Sequence, residues 1–180
     1  MRDALIARFN FFLRARFFYC SLSIWLGLLI LVNPVSSFET IGFESRPNFI
    51  TTEVTLTDDN GNTHLFFVEI ASSPKEHLFG LMYSSPLPPG RGMLFLFNRL
   101  EKRKFWMKNT PISLDILFFD DRGRVVNIHQ NTKPLSLRHY ESERPSQFVL
   151  ELGGGEVSRL GLTNNFRLRL PILEQINERN

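Results

Sequence analysis

The sequence predicts a mainly-β domain, a sandwich or barrel of about eight short strands with one short helix. Three observations carry this. Short segments that alternate in polarity, or are apolar throughout, recur along residues 51–170. Gly, Pro, Asn and Asp clusters separate them at short intervals. Only one stretch carries a full helix-start signature.

Residues 1–37 stand apart. Arg2, Arg8, Arg14 and Arg16 make a positive leader, and Phe17–Val32 follows as a 16-residue apolar run broken by Ser21, Ser23 and Gly27. A membrane-spanning helix needs roughly 20 apolar residues, so the run is short for a span. Val35-Ser36-Ser37 supplies the small residues of a cleavage site before Phe38. The expectation is a signal peptide over 1–37, with an uncleaved membrane anchor as the alternative. Cys20 lies too early in the run to be a lipoprotein cysteine and reads as a passive apolar residue.

The leader also accounts for the charge. The chain has 21 Lys+Arg and 18 Asp+Glu; residues 1–37 hold four Arg and one Asp, which leaves 17 of each sign in residues 38–180. The basic balance therefore belongs to the leader. With no basic stripe interleaved with aromatics in the remainder, nucleic acid is not an expected partner. The only cysteine leaves with the leader, so the mature chain has no disulfide, thiol nucleophile or Cys-based zinc site. Its 143 residues are enough for one core.

Residues 38–50 mix Gly, Ser, Pro and Asn and read as a linker before a single β domain over 51–170, with 171–180 as a tail. Thr51–Thr57 alternates as a strand. The run of Asp58, Asp59, Asn60, Gly61 and Asn62 is a turn, because Asn-Gly tolerates positive φ, and His64–Ala71 is the partner strand of a hairpin. Ser73-Pro74-Lys75-Glu76 is a capping box with proline at the first helical position, which predicts a short helix reaching Met82. Pro86, Pro88, Pro89 and Gly90 end regular structure.

Met93–Phe97 is apolar on both faces and predicts a buried strand, followed by a charged turn over Arg99–Lys104. Phe105–Lys108, Ile112–Phe119, Val125–His129, Phe148–Leu152 and Phe166–Leu170 read as further strands. Asn131–Pro145 is a polar connection, and a helical turn fits Glu156–Leu160.

The segment from Lys104 to Asp115, KFWMKNTPISLD, concentrates candidate site residues. Alternation puts Asp115 on the strand face that carries Leu117 and Phe119, where an ionised carboxylate needs donors. Pro111 permits a bend that would return Lys108 and Asn109 toward Asp115. One reading has Asp115 pinning the corner at 109–111 through backbone N–H groups. The other makes Lys108, Asn109 and Asp115 the rim of a pocket floored by Trp106 and Met107.

GLMYSSPLPPGRGMLFLF (80–97), FWMKNTPISLDILFFD (105–120), YES (140–142) and FVLELGGG (148–155) occur here in order. Together they resemble the bacterial and archaeal family called domain of unknown function 192. The resemblance covers about residues 52–170. It implies a small jelly-roll-like β domain, often behind a signal peptide, and implies no particular reaction. The family's signature positions fall on Gly80, Leu81, Met82, Gly92, Met93, Phe95, Phe97, Phe105, Met107, Asn109, Thr110, Leu114, Asp115, Tyr140 and Glu151, and Trp106 and Lys108 match its commonest choices. Ser84 and Asn164-Asn165 depart from it, where a basic residue and a Gly-Asp pair are usual.

Other constellations are weaker. Met82, Met93 and Met107 are soft donors suited to Cu(I), but no histidine is spaced to complete a site, and methionine commonly fills gaps beside aromatics. His64, His77, His129 and His139 form no zinc pattern. Ser142, His139 and Asp115 can be written as a triad, but no nucleophile elbow frames Ser142. No metal or cofactor is expected.

The leading functional reading is a secreted or envelope-associated binding or accessory module. Its candidate ligand-binding residues are Met93, Trp106, Lys108, Asn109, Asp115, Tyr140 and Glu151, and its partner is a small molecule or an envelope protein. A hydrolase acting on an envelope glycan, with Asp115 and Glu151 as acid and base, is the enzymatic alternative. A structural or protein-interaction domain is the third. A Gram-negative source would make the chain periplasmic or secreted, or anchored in the inner membrane and facing the periplasm. Contact with a membrane is expected only through an uncleaved N-terminus.

Overall fold

The computed structural model describes residues 45–170. The expected leader, most of the linker and the C-terminal tail lie outside the described residues. The fold is mainly β, as expected, with nine strands and two short helices among the described residues. Its strands are β1 (Ile50–Thr57), β2 (Thr63–Ala71), β3 (Arg91–Glu101), β4 (Lys104–Phe105), β5 (Leu114–Phe119), β6 (Val125–His129), β7 (Tyr140–Glu141), β8 (Ser146–Gly153) and β9 (Arg167–Arg169). Helix α1 (Pro74–Phe79) lies between β2 and β3, and α2 (Glu156–Leu160) between β8 and β9.

Seven strands form one sheet in the order β6-β5-β8-β3-β2-β1-β9, and β4 pairs with β7 in a separate ribbon. The hairpin expected around Gly61 is present. Asp58 accepts the N–H groups of Asn60 and Asn62 at 2.9 and 2.7 Å, and β1 pairs with β2 over its whole length. The β2–β3 pair is parallel. It therefore needs a crossover, which α1 and the proline-rich segment after it provide.

The sheet curls until its two edges approach each other. Arg124 bridges to Arg167, and the Leu168 N–H donates to the Gly123 carbonyl at 2.7 Å. Gly123, with φ of +71°, is required at this closure: a Cβ there would lie 2.3 Å from the Leu168 oxygen.

Strand alternation then creates two cores. Inside the curl, Leu117 and Phe119 of β5 pack with Leu150 and Leu152 of β8, Leu94 of β3 and Phe66 of β2. On the outer side, Ile116 and Phe118 pack with Val149, Met93, Phe95 and Met107. All six residues of β5 are buried, because both faces of the sheet are covered there.

Several boundaries differ from expectation: α1 ends at Phe79 and not Met82, where Gly80 takes a positive φ, and β5 begins at Leu114 and not Ile112. Strand β3 continues to Glu101, through residues that read as a charged turn, because its far end pairs Glu101 with Ser146 after a bulge. Regular pairing after it is only the two residues of β4. Part of the expected polar connection becomes β7, which pairs Phe105 with Tyr140. Among the described residues, every strand and both cores come from residues 49–170.

Candidate functional site

The outer core contains one ionisable side chain that its surroundings do not answer. Glu151 sits in the middle of β8 and is 4% exposed. Cross-strand register places it opposite Met93 on one side and Ile116 on the other, so it shares their outer face. No described residue donates a hydrogen bond to its carboxyl group. Burial pushes that carboxyl up to about 8, with no neighbouring charge to hold it down. It is therefore mostly protonated at neutral pH, able both to donate and to accept.

A cavity of about 30 Å³ lies against it, room for one or two water-sized groups. Helix α1 and the turn after it form one wall, from His77 to Met82; Phe95 and Glu151 form the floor. Phe105, Trp106, Lys108 and Thr110 close the other side. The sequence holds each wall in place. Ser73 and Glu76 complete the capping box that starts α1: the Ser73 hydroxyl accepts from the Glu76 N–H, and the Glu76 carboxylate accepts from the Ser72 and Ser73 N–H groups. His77 lies with Nε2 3.1 Å and 3.0 Å from the Ala71 and Leu96 carbonyls, a geometry in which Nε2 carries the proton and donates. Gly92 lets β3 and β8 approach, since a Cβ there would meet the Glu151 carbonyl oxygen at 2.3 Å.

The opposite wall turns at Asn109, whose φ of +55° is one that asparagine tolerates. The Tyr83 N–H donates to the Asn109 carbonyl at 2.7 Å, and the Asn109 amide reaches the Met82 sulfur at 3.8 Å. Both contacts tie this corner to the segment after α1. Trp106 is 38% exposed, and the Lys108 ammonium lies 5.1 Å from its ring centroid.

Of the seven residues singled out in the sequence, Trp106, Lys108 and Glu151 line one cavity. Met93 lies beneath it, fully buried beside Glu151. Asn109 shapes the corner without lining the cavity. Tyr140 is buried on the same side, but its hydroxyl accepts from the Lys133 N–H at 2.9 Å and so fixes a loop.

Asp115 is elsewhere. Its partner in register is Leu152, so it points into the inner core, away from Glu151. Its oxygens accept from the Asn131 and Val157 N–H groups, each at 2.8 Å. The second of these caps α2 from a distance, because the residue before that helix, Gly155, has no side chain to do so. Two expectations are corrected by this register. Asp115 satisfies backbone N–H groups, as one reading had it, but those of 131 and 157 rather than of the 109–111 corner. And Asp115 and Glu151 lie on opposite faces of one sheet, so they cannot flank one glycosidic bond as an acid–base pair.

Among the cavity residues, His77, Leu78 and Phe79 carried no functional signal in the sequence, while Gly80, Leu81, Met82, Phe95, Phe105 and Thr110 entered as signature positions of the resembled family and not as candidate ligand-binding residues. No spacing ties His77 or Thr110 to Glu151; a crossover and a sharp corner bring them together.

A larger open groove, about 600 Å³, runs along the outer faces of β2 and β3 beneath the segment 83–91. Its charged groups are answered: Arg46 pairs with Glu69, and the Arg91 guanidinium lies 5.0 Å from the Phe67 ring centroid. It is the larger space but holds no buried ionisable group, and for that reason the small cavity is the better candidate.

Comparison with known proteins agrees with the fold and with the motifs. The model of the family DUF192, described as an uncharacterized ACR, matches residues 55–170. The chain belongs to this family. A candidate transcription regulator of Sinorhizobium meliloti, known as a crystal structure, is 38% identical; the match covers 69% of this chain and 97% of that one, with a TM-score of 0.67. A protein of unknown function from Novosphingobium aromaticivorans is 36% identical over 67% of this chain and 85% of that one, with a TM-score of 0.64. No curated protein matches the chain. The Glu151 cavity thus belongs to a DUF192 domain, and its walls come from the GLM and FWMKNT segments that carry the resemblance.

Proposed function

We propose that the domain is a small binding module of the cell envelope, and that the Glu151 cavity anchors its ligand. The observation that carries this reading is Glu151 itself: a buried carboxyl with no hydrogen-bond donor, facing a cavity with a polar rim. A hydrogen bond made to this carboxyl from within the cavity is shielded from bulk water and is correspondingly strong. The cavity admits only a small polar group, such as a hydroxyl or carbonyl. The rest of a ligand would lie over Trp106 and Lys108. The leader over residues 1–37 supports export, to the periplasm or beyond, or retention as an inner-membrane anchor. The position of Asp115 on the other face supports binding over glycan hydrolysis.

Residues 38–180 contain one tryptophan, Trp106, which makes the test direct. Its emission and the melting temperature are followed against metal ions, glycan fragments and small envelope metabolites. The expected result is a saturable change in emission with a rise in melting temperature for one class of compound. Glu151→Leu, which keeps volume but removes the polar group, should abolish both. Binding that persists undiminished in Glu151→Leu would move the site elsewhere, and indifference to the whole panel would contradict the binding reading.

A further inference from the structure

Around the mouth of the cavity the domain displays apolar side chains that its core does not use. Leu135 is 61% exposed and Leu137 66%, on one loop between β6 and β7. That loop is not slack. The Leu135 N–H donates to the Thr110 carbonyl at 3.0 Å, the Ser136 carbonyl accepts from the Met107 N–H at 2.9 Å, and the Tyr140 hydroxyl holds the Lys133 N–H. These bonds dock it beside Trp106, whose ring lies 6.4 Å from that of His139.

Leu135 is moreover held at φ of +59°, a left-handed conformation that a branched side chain adopts only under constraint. The backbone is thus fixed while two leucines stay in water.

The charged residues of the loop itself are basic, and Glu141 on β7 beyond it is already paired with Lys104 at 3.0 Å. The loop carries Lys133 and Arg138, and the adjoining segment carries Lys108. None of the three meets a carboxylate among the described residues: Lys108 and Arg138 lie over the rings of Trp106 and Tyr140. Leucines at a loop tip, a half-exposed tryptophan and unopposed cations are the combination that enters a lipid interface: apolar groups below the headgroups, tryptophan at their level, cations on anionic lipid. A phosphate backbone would answer the cations but leave both leucines in water.

We propose that the loop 133–138, together with Trp106 and Lys108, is a docking surface for an anionic membrane, separate from any contact made by the N-terminal segment. The test uses residues 38–180, which contain the whole described fold, at low salt, with vesicles of phosphatidylcholine with and without phosphatidylglycerol. Sedimentation with the anionic vesicles is expected, together with quenching of Trp106 by brominated lipid and release as salt rises. Leu135→Ser/Leu137→Ser and, separately, Lys133→Glu/Arg138→Glu should each weaken binding by about tenfold or more, with unchanged melting temperature. Neither pair lines the Glu151 cavity, so cavity-ligand binding should survive in both. Absence of vesicle binding would overturn the proposal. So would vesicle binding that both variants retain, or preference for duplex DNA or for a protein partner over the vesicles.

Discussion

Glu151 and Asp115 are buried carboxyls only a few residues apart across one strand pair, and their environments set them opposite tasks. Asp115 receives two backbone N–H groups and works as a structural acceptor. Replacing it by alanine should cost about 2 kcal/mol, because the buried Val157 N–H and the part-buried Asn131 N–H lose their partner, and α2 should fray first; chemical denaturation of Asp115→Ala with amide exchange at Val157 checks this. Glu151 receives no donor, and burial raises its folded pKa from the ordinary carboxylate range to about 8.

The sign follows from the protons held. Between the unfolded value, near 4.5, and about 8, the folded state binds more protons than the unfolded one, so its stability is fully present below that window and is lost as pH rises through it. The loss is on the order of 4 kcal/mol at the upper end. Glu151→Gln should flatten this slope and be the more stable protein above pH 8; melting curves taken across the window would show it. A wild-type stability that rises over the same interval would contradict the assignment.

At the scale of elements, the cavity depends on two pieces with no regular partner in the main sheet: α1 and the Asn109 corner. Ser73→Ala removes one cap of a six-residue helix and should cost about 1 kcal/mol. Because α1 is a wall of the cavity, it should also weaken ligand response at Trp106 more than a surface substitution of equal cost. Gly92→Ala puts a methyl against the backbone of β8 and should destabilise by about 1–3 kcal/mol or more. Both are checked by denaturant titration of residues 38–180.

The elements themselves were largely legible. The capping box marked α1, Asn-Gly marked the first hairpin, and apolar character on both faces marked Met93–Phe97, within β3, as a buried strand. The extension of β3 was not legible: charge in its last residues suggested a turn, while pairing of Glu101 with Ser146 across a bulge decided otherwise. The two-residue strands β4 and β7 are too short to leave a periodic signal.

For the whole molecule, periodicity gave strand faces but not which strands lie side by side. Asp115 was correctly placed with Leu117 and Phe119, yet only the β5–β8 register shows that Glu151 opposes Ile116 and not Asp115. The pairing of a parallel β2–β3, and with it the position of α1 over Glu151, is a long-range fact that no local pattern carries. Charge was misleading in a similar way. Residues 38–180 are neutral in sum, and that balance hid the unopposed Lys108, Lys133 and Arg138 around two exposed leucines. The family motifs located the site better than spacing did, because GLM and FWMKNT supply facing walls of one cavity.

Everything proposed for that cavity depends on Glu151 being a protonated, unpartnered carboxyl at neutral pH. The most direct measurement is the side-chain carboxyl ¹³C shift of Glu151 in residues 38–180, titrated by NMR and assigned by its loss in Glu151→Gln. A midpoint at about 8 is expected. A midpoint near the ordinary glutamate value of about 4.3 would mean that the carboxylate is already satisfied in the folded protein, and the cavity would lose its claim to be a ligand site.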